Sequence, residues 1–225
     1  MLRAIVFDFD GVIANSEPLH FRAYRDVLAE EGLDLSESDY YGRYLGYDDA
    51  GAFAAMAAEW RLEWGSTQIA DLVKRKAVRL ERLEHGGSVL FPGAEAAIRV
   101  AADALPIGIA SGALGAEIRR VLDRAGLTGH FSAIVAAEDT PIGKPAPDPY
   151  LRVVALLAKA HGPLAAEQCV AIEDSQWGLQ SARAAGLRTV GVAHTYSALS
   201  LEPADLVIPS MEAFDLEVLR ALVPE

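Results

Sequence analysis

The chain has 225 residues and a mass of 24.0 kDa, with 52% hydrophobic and 23% charged residues. It is long enough for one domain with an insertion or for two small domains, and its composition is that of a soluble globular protein. A formal net charge of −12 offers no field to gather nucleic acid, and no apolar run reaches the length needed to span a bilayer, so neither nucleic acid nor membrane is an expected partner. The first residues read as a strand and not as a secretory leader, which makes the cytoplasm the expected compartment.

Short apolar runs separated by helical stretches recur along the chain: Ala4 to Asp8, Pro106 to Ala110, Ala133 to Ala137, Cys169 to Ile172, Thr189 to Val192 and Asp205 to Ile208. Strand alternating with helix predicts an α/β fold with a parallel, doubly wound, Rossmann-like sheet. Between Asn15 and about Gly87 the pattern is helical throughout. Ser16 is placed to cap a helix running to Glu31 and stopping at Gly32, and Ser36 with Asp39 three residues on makes a capping box. Phe53, Met56, Ala57 and Trp60 share one helix face, as do Ile69, Leu72, Val73, Leu80 and Leu83. This insertion reads as a helical cap domain over residues 16–87, leaving 1–15 and 88–225 as the core domain. Its linkers are Ala14-Asn15-Ser16 and the glycine-bearing His85-Gly86-Gly87-Ser88. The single cysteine, Cys169, excludes an intramolecular disulfide and a cysteine-cluster zinc site, and reads as a small core side chain.

Polar groups gather where the apolar runs end. Asp8 and Asp10 follow the first run, with Gly11 permitting a sharp turn. Two carboxylates pressed together at the carboxyl edge of an open sheet need a shared proton or a hard divalent cation such as Mg2+. A plainer reading makes Asp10-Gly11 only a turn signal. Ser111 and Gly112 follow the second run, where a hydroxyl and backbone amides suit a phosphate oxygen and a helix-capping serine suits the sequence equally well. Lys144 stands in Thr140-Pro-Ile-Gly-Lys-Pro-Ala-Pro-Asp-Pro149, whose prolines restrict the backbone and aim the charge. Glu173 and Asp174 end the fourth run, with Ser175 placed to cap the next helix. Four acids at the ends of buried strands are costly unless something compensates them, and acids converging with one lysine fit a metal-phosphate site.

These four segments, Asp8-Phe-Asp10-Gly11, Ser111, Lys144-Pro145 and Glu173-Asp174, resemble in order the four motifs of the haloacid dehalogenase-like superfamily. Asp10-Gly-Val-Ile, His20-Phe-Arg22, Gly143-Lys-Pro-Ala-Pro-Asp148 and Ile172-Glu-Asp-Ser-Gln176 are similar to its beta-phosphoglucomutase-like branch. The resemblance implies a Rossmann-like core with a helical cap. It implies Asp8 as nucleophile, Asp10 as general acid and base, and Ser111, Gly112 and Lys144 as stabilisers of the transferring group. It implies Mg2+ held by Asp8, the Asp10 carbonyl and Asp174, with Glu173 as a further metal ligand. Substrate contacts are implied at Ser111, Gly112 and Lys144, and in the cap at His20, Gly46 and Lys76.

The same resemblance separates two acceptors. The mutases grip a second phosphate with a cap-loop arginine and a lysine-asparagine pair after the second-motif serine. Here the loop reads Leu45-Gly-Tyr-Asp-Asp49 and the serine is followed by Gly-Ala-Leu-Gly115. Water as acceptor is therefore expected, giving a phosphatase of a small phosphorylated metabolite such as a sugar phosphate. A hexose-phosphate mutase or a catalytically silent binding protein is the alternative. Lys76 lies on or beside the apolar stripe, where its stem could snorkel or its charge could read substrate, and His20 is open in the same way. The size suits a monomer.

Overall fold

In the computed structural model, residues 1–45, 47–84 and 89–223 are described. They form two compact units, one of Met1–Asn15 with Val89–Glu225 and one of Ser16–Ser88.

The first unit is built on a six-stranded, all-parallel sheet: β1 (Ala4–Phe7), β2 (Ile107–Ala110), β3 (Ala133–Val135), β4 (Cys169–Glu173), β5 (Arg188–Val192) and β6 (Leu206–Ile208). The order β3-β2-β1-β4-β5-β6 places β1 and β4 side by side at the centre, with Phe7 opposite Ile172. Every residue of β1, β2 and β4 is buried, which is why those segments read as continuous apolar runs. Ile5, Phe7, Ile109 and Ile172 pack into a core on one face, while Val6, Ala171 and Cys169 join Tyr150, Val153 and Leu157 on the other. Burial pushes the Cys169 thiol up to about 12, so it behaves as the small apolar side chain expected. After β1 the chain turns back on itself, with Gly11 N–H donating to the Ala14 carbonyl at 2.9 Å and Asn15 N–H donating to the Val89 carbonyl at 2.7 Å.

Among its described residues the second unit has helices and no strand. It contains α1 (Glu17–Glu30), the short turn α2 (Glu37–Asp39) leading into a π-turn over Tyr40–Tyr44, α3 (Asp49–Trp60) and α4 (Ser66–Glu84). Its core holds Tyr24, Val27, Leu28, Tyr40, Phe53, Met56 and Leu72. Ser36 accepts from Asp39 N–H at 3.1 Å, as the capping pattern anticipates. Ser16 differs from expectation: it has helical backbone angles and its side chain makes no capping bond, the first turn being set by Pro18. The linker at residues 85–88 and the cap-loop residue Gly46 lie outside the described residues.

Candidate active site

The loops leaving the carboxyl ends of the sheet carry the polar groups. β1 runs into Asp8, whose N–H still pairs with the Ile172 carbonyl at 2.9 Å, so its side chain is placed by the sheet itself. Lys144, from the loop between β3 and α7 (Asp148–His161), reaches Asp8 Oδ1 at 2.8 Å and Glu173 Oε1 at 2.5 Å. Asp8 Oδ1 also accepts the Phe9 N–H at 2.7 Å. Asp8, Glu173 and Asp174 each offer a carboxylate oxygen within 4.8 Å of the others. Three buried carboxylates against one ammonium leave excess negative charge, and a set of oxygen donors at this spacing suits a hard divalent cation better than a soft one.

The charge shows in the titration of the groups. Burial, then the neighbouring Asp8, raises Glu173 and Asp174 above the ordinary carboxylate range. Burial opposes the charge on Lys144, yet Asp8 and Glu173 outweigh it and the lysine is held more firmly protonated than in water.

Glu173 and Asp174 face different partners. Glu173, fully buried, accepts from Lys144, from the Tyr150 hydroxyl at 2.6 Å and from Ser175 Oγ at 3.4 Å. It is packed against α8 (Gln176–Ala184) so closely that a Cβ at Gly178 would overlap its carboxylate. Asp174 lies instead against Gly11, whose φ of +80° and absent side chain admit the carboxylate, and it accepts a hydrogen bond from the Thr195 side chain. Ser175 caps α8 by accepting from Gly178 N–H at 3.1 Å, as its position in the sequence suggested. Ser111 does not cap the helix that follows it. Its Oγ accepts from Ala113 N–H at 3.0 Å, and the start of α6 (Gly115–Arg124) is satisfied by Glu138 across the loop. Gly112 is exposed, with open space where a side chain would stand.

Of the residues singled out in the sequence, Asp8, Lys144, Glu173 and Asp174 thus meet, and Asp10 and Ser111 leave the same sheet edge. His20 and Lys76 belong to the helical unit. Lys76 is buried, and its Nζ bonds Asp49 Oδ1 at 2.6 Å and His20 Nδ1 at 2.8 Å, 4.8 Å above the Tyr24 ring. The ammonium therefore does not snorkel to water. Sequence reasoning missed Tyr150 and Thr195. Tyr150 carried no signal, being one more apolar position of α7, whereas Thr195 follows β5 at the ligand-binding edge and could have been sought there.

A model of the haloacid dehalogenase-like hydrolases matches residues 2–186. Protein CbbY of Cupriavidus necator is 36% identical over 93% of this chain and 86% of its own length. Hexitol phosphatase B of Escherichia coli is 33% identical over 84% of this chain and 82% of its own. The crystal structure of a CbbY variant from Rhodobacter sphaeroides, in complex with xylulose-(1,5)bisphosphate, is similar at a TM-score of 0.84 and 25% identity, with 100% of each chain covered.

Proposed function

The chain belongs to the haloacid dehalogenase-like hydrolases, and on that premise we propose that it is a Mg2+-dependent phosphatase of a small phosphorylated metabolite, a sugar phosphate. The observation that carries this reading is Lys144 bridging Asp8 and Glu173 beside Asp174. A nucleophilic carboxylate, a fixed cation and a cation-binding carboxylate are what phosphoryl transfer requires within a few ångströms. The hexitol phosphatase among the relatives supports a sugar-derived substrate.

In this mechanism an Asp8 carboxylate oxygen attacks phosphorus, the bond from phosphorus to the sugar oxygen breaks, and Asp10 gives its proton to the departing alkoxide. Asp10, now a base, takes a proton from water; the resulting hydroxide attacks the aspartyl-phosphate, and Asp8 is released with inorganic phosphate. Lys144, the Ser111 hydroxyl and the Gly112 amide stabilise the charge on the transferring oxygens. Mg2+, held by Asp8, Asp174 and the Asp10 carbonyl, would supply electrostatic stabilisation of that charge. Glu173 is assigned here to Lys144 and Tyr150, which occupy Oε1, and not to the metal.

His20, Gly46 and Lys76 remain the proposed cap contacts to substrate. For Lys76 the role requires a ligand to compete with Asp49 for the ammonium. That competition disfavours a permanent second phosphate grip and so favours hydrolysis over mutase chemistry.

The test is steady phosphate release from a panel of hexose and hexitol monophosphates with Mg2+ and no bisphosphate activator. Wild type is expected to turn over, and Asp8→Asn to lose at least about a thousandfold in kcat. Isomer formation dependent on a bisphosphate, with negligible phosphate release, overturns the reading in favour of a mutase. No turnover of any ester overturns it in favour of a silent binding protein.

A further inference from the structure

One side chain beside the Asp10 turn has no place in the mechanism above. His194, in the loop after β5, lies with Nδ1 2.9 Å from the Gly11 carbonyl oxygen and accepts the Met211 N–H on Nε2 at 3.4 Å. Its ring stacks on Phe91 with centroids 3.9 Å apart and planes at 17°. A carbonyl can only accept and a backbone N–H can only donate, so the proton sits on Nδ1 and the lone pair on Nε2, a single neutral tautomer. Burial lowers its pKa, which favours that neutral form.

The residue it holds has little freedom left. Gly11 donates its N–H to the Ala14 carbonyl at 2.9 Å, and its Cα lies against the Asp174 carboxylate, which any Cβ would overlap. Its carbonyl is the remaining group, and His194 fixes it. The next residue, Thr195, hydrogen-bonds the Asp174 side chain. Adjacent residues after β5 thus brace both the turn that carries Asp10 and the carboxylate packed against that turn.

We infer that His194 is a positioning residue for Asp10: by donating Nδ1–H to the Gly11 carbonyl it fixes the Gly11–Val12 peptide, and with it the turn that holds Asp10 and aims the carboxyl group that protonates the leaving oxygen. The inference rests on the reading of Asp10 as the proton donor. It has a signature that loss of folding lacks. A sugar alkoxide is a poor leaving group and needs the proton, whereas p-nitrophenolate leaves without it. Because kcat/KM reports events only through phosphoryl transfer to Asp8, its ratio for the two esters isolates protonation. That ratio is also independent of the fraction of a preparation that is folded.

The experiment measures kcat/KM for the best sugar monophosphate of the panel and for p-nitrophenyl phosphate, at fixed Mg2+. His194→Phe keeps the stack on Phe91 and removes the donor. It is expected to lose about tenfold to a hundredfold on the sugar phosphate and to stay within about threefold on the aryl ester. His194→Asn, which returns an N–H near the Nδ1 position, is expected to recover most of the difference. Parallel losses on both esters, no loss on either, or failure of His194→Asn to restore the ratio would each overturn the positioning role. A wild type that hydrolyses neither ester would overturn the phosphatase reading itself, which is a different result.

Discussion

Adjacent residues at a strand end point to opposite sides, and Glu173 and Asp174 use that alternation to divide two tasks. Glu173 is spent on Lys144 and Tyr150, while Asp174 stands with Asp8 at Gly11. The two acids therefore respond differently to loss of their charge. Asp174→Asn is expected to raise the Mg2+ concentration for half-maximal activity by about tenfold or more, since a ligating carboxylate is replaced by a neutral amide. Glu173→Gln is expected to leave that concentration within about threefold, and to lower kcat by about tenfold or more because Lys144 loses a charged partner. Titrating each variant with Mg2+ in the phosphate-release assay distinguishes them; equal shifts in metal dependence would contradict the division. The sequence showed both acids at the end of a buried run, yet their separate uses depend on Tyr150 and Thr195, which come from elsewhere in the chain. Only the fold brings those partners in.

At the level of elements, the helical unit contrasts two kinds of ion pair. On the surface between α1 and α4, Arg75 meets Glu30 and Glu31, each at 2.6 Å, and Arg79 meets Glu30 at 2.7 Å. These exposed pairs are screened by salt and hold the helices weakly. Lys76, one residue from Arg75, turns inward to Asp49 and His20 and joins α4 to α3 and α1. Removing the ammonium leaves Asp49 in a half-buried position with only the Tyr24 hydroxyl, at 2.7 Å, among the partners described for its side chain. Lys76→Met is therefore expected to cost about 2 kcal/mol in a urea melt, and adding Asp49→Asn to recover part of it by removing the stranded charge. A double variant no more stable than Lys76→Met alone would show that packing, not the charge pair, accounts for the loss. Helical periodicity correctly set Lys76 on the apolar stripe with Leu72 and Leu80. It could not find the partners, because a 3.6-residue period describes one helix and Asp49 and His20 approach from two others.

Across the whole molecule, the strands were the most readable feature, since a buried parallel strand must be apolar along its length, and all six apolar runs became strands within about two residues at each end. The candidate cation site was readable for the same reason: four acids at the ends of such strands stand out against their surroundings. That placement has a thermodynamic consequence for a chain of net charge −12. Because Glu173 and Asp174 have raised pKa values in the fold, the native state binds more protons than the unfolded chain above the ordinary carboxylate range. The stability contributed by this cluster is present at low pH and is lost as pH rises through the folded pKa values. A divalent cation reverses the sign locally, since it binds the deprotonated cluster and must compete with protons at low pH. At a fixed Mg2+ concentration, the rise in melting temperature over the metal-free protein is therefore expected to grow between about pH 5.5 and about pH 8, with protons released on binding. Differential scanning fluorimetry across that range, with calorimetry in buffers of different ionisation enthalpy, measures both quantities. A shift that stays constant or shrinks as pH rises would mean that Mg2+ does not bind at the Asp8–Asp174 cluster.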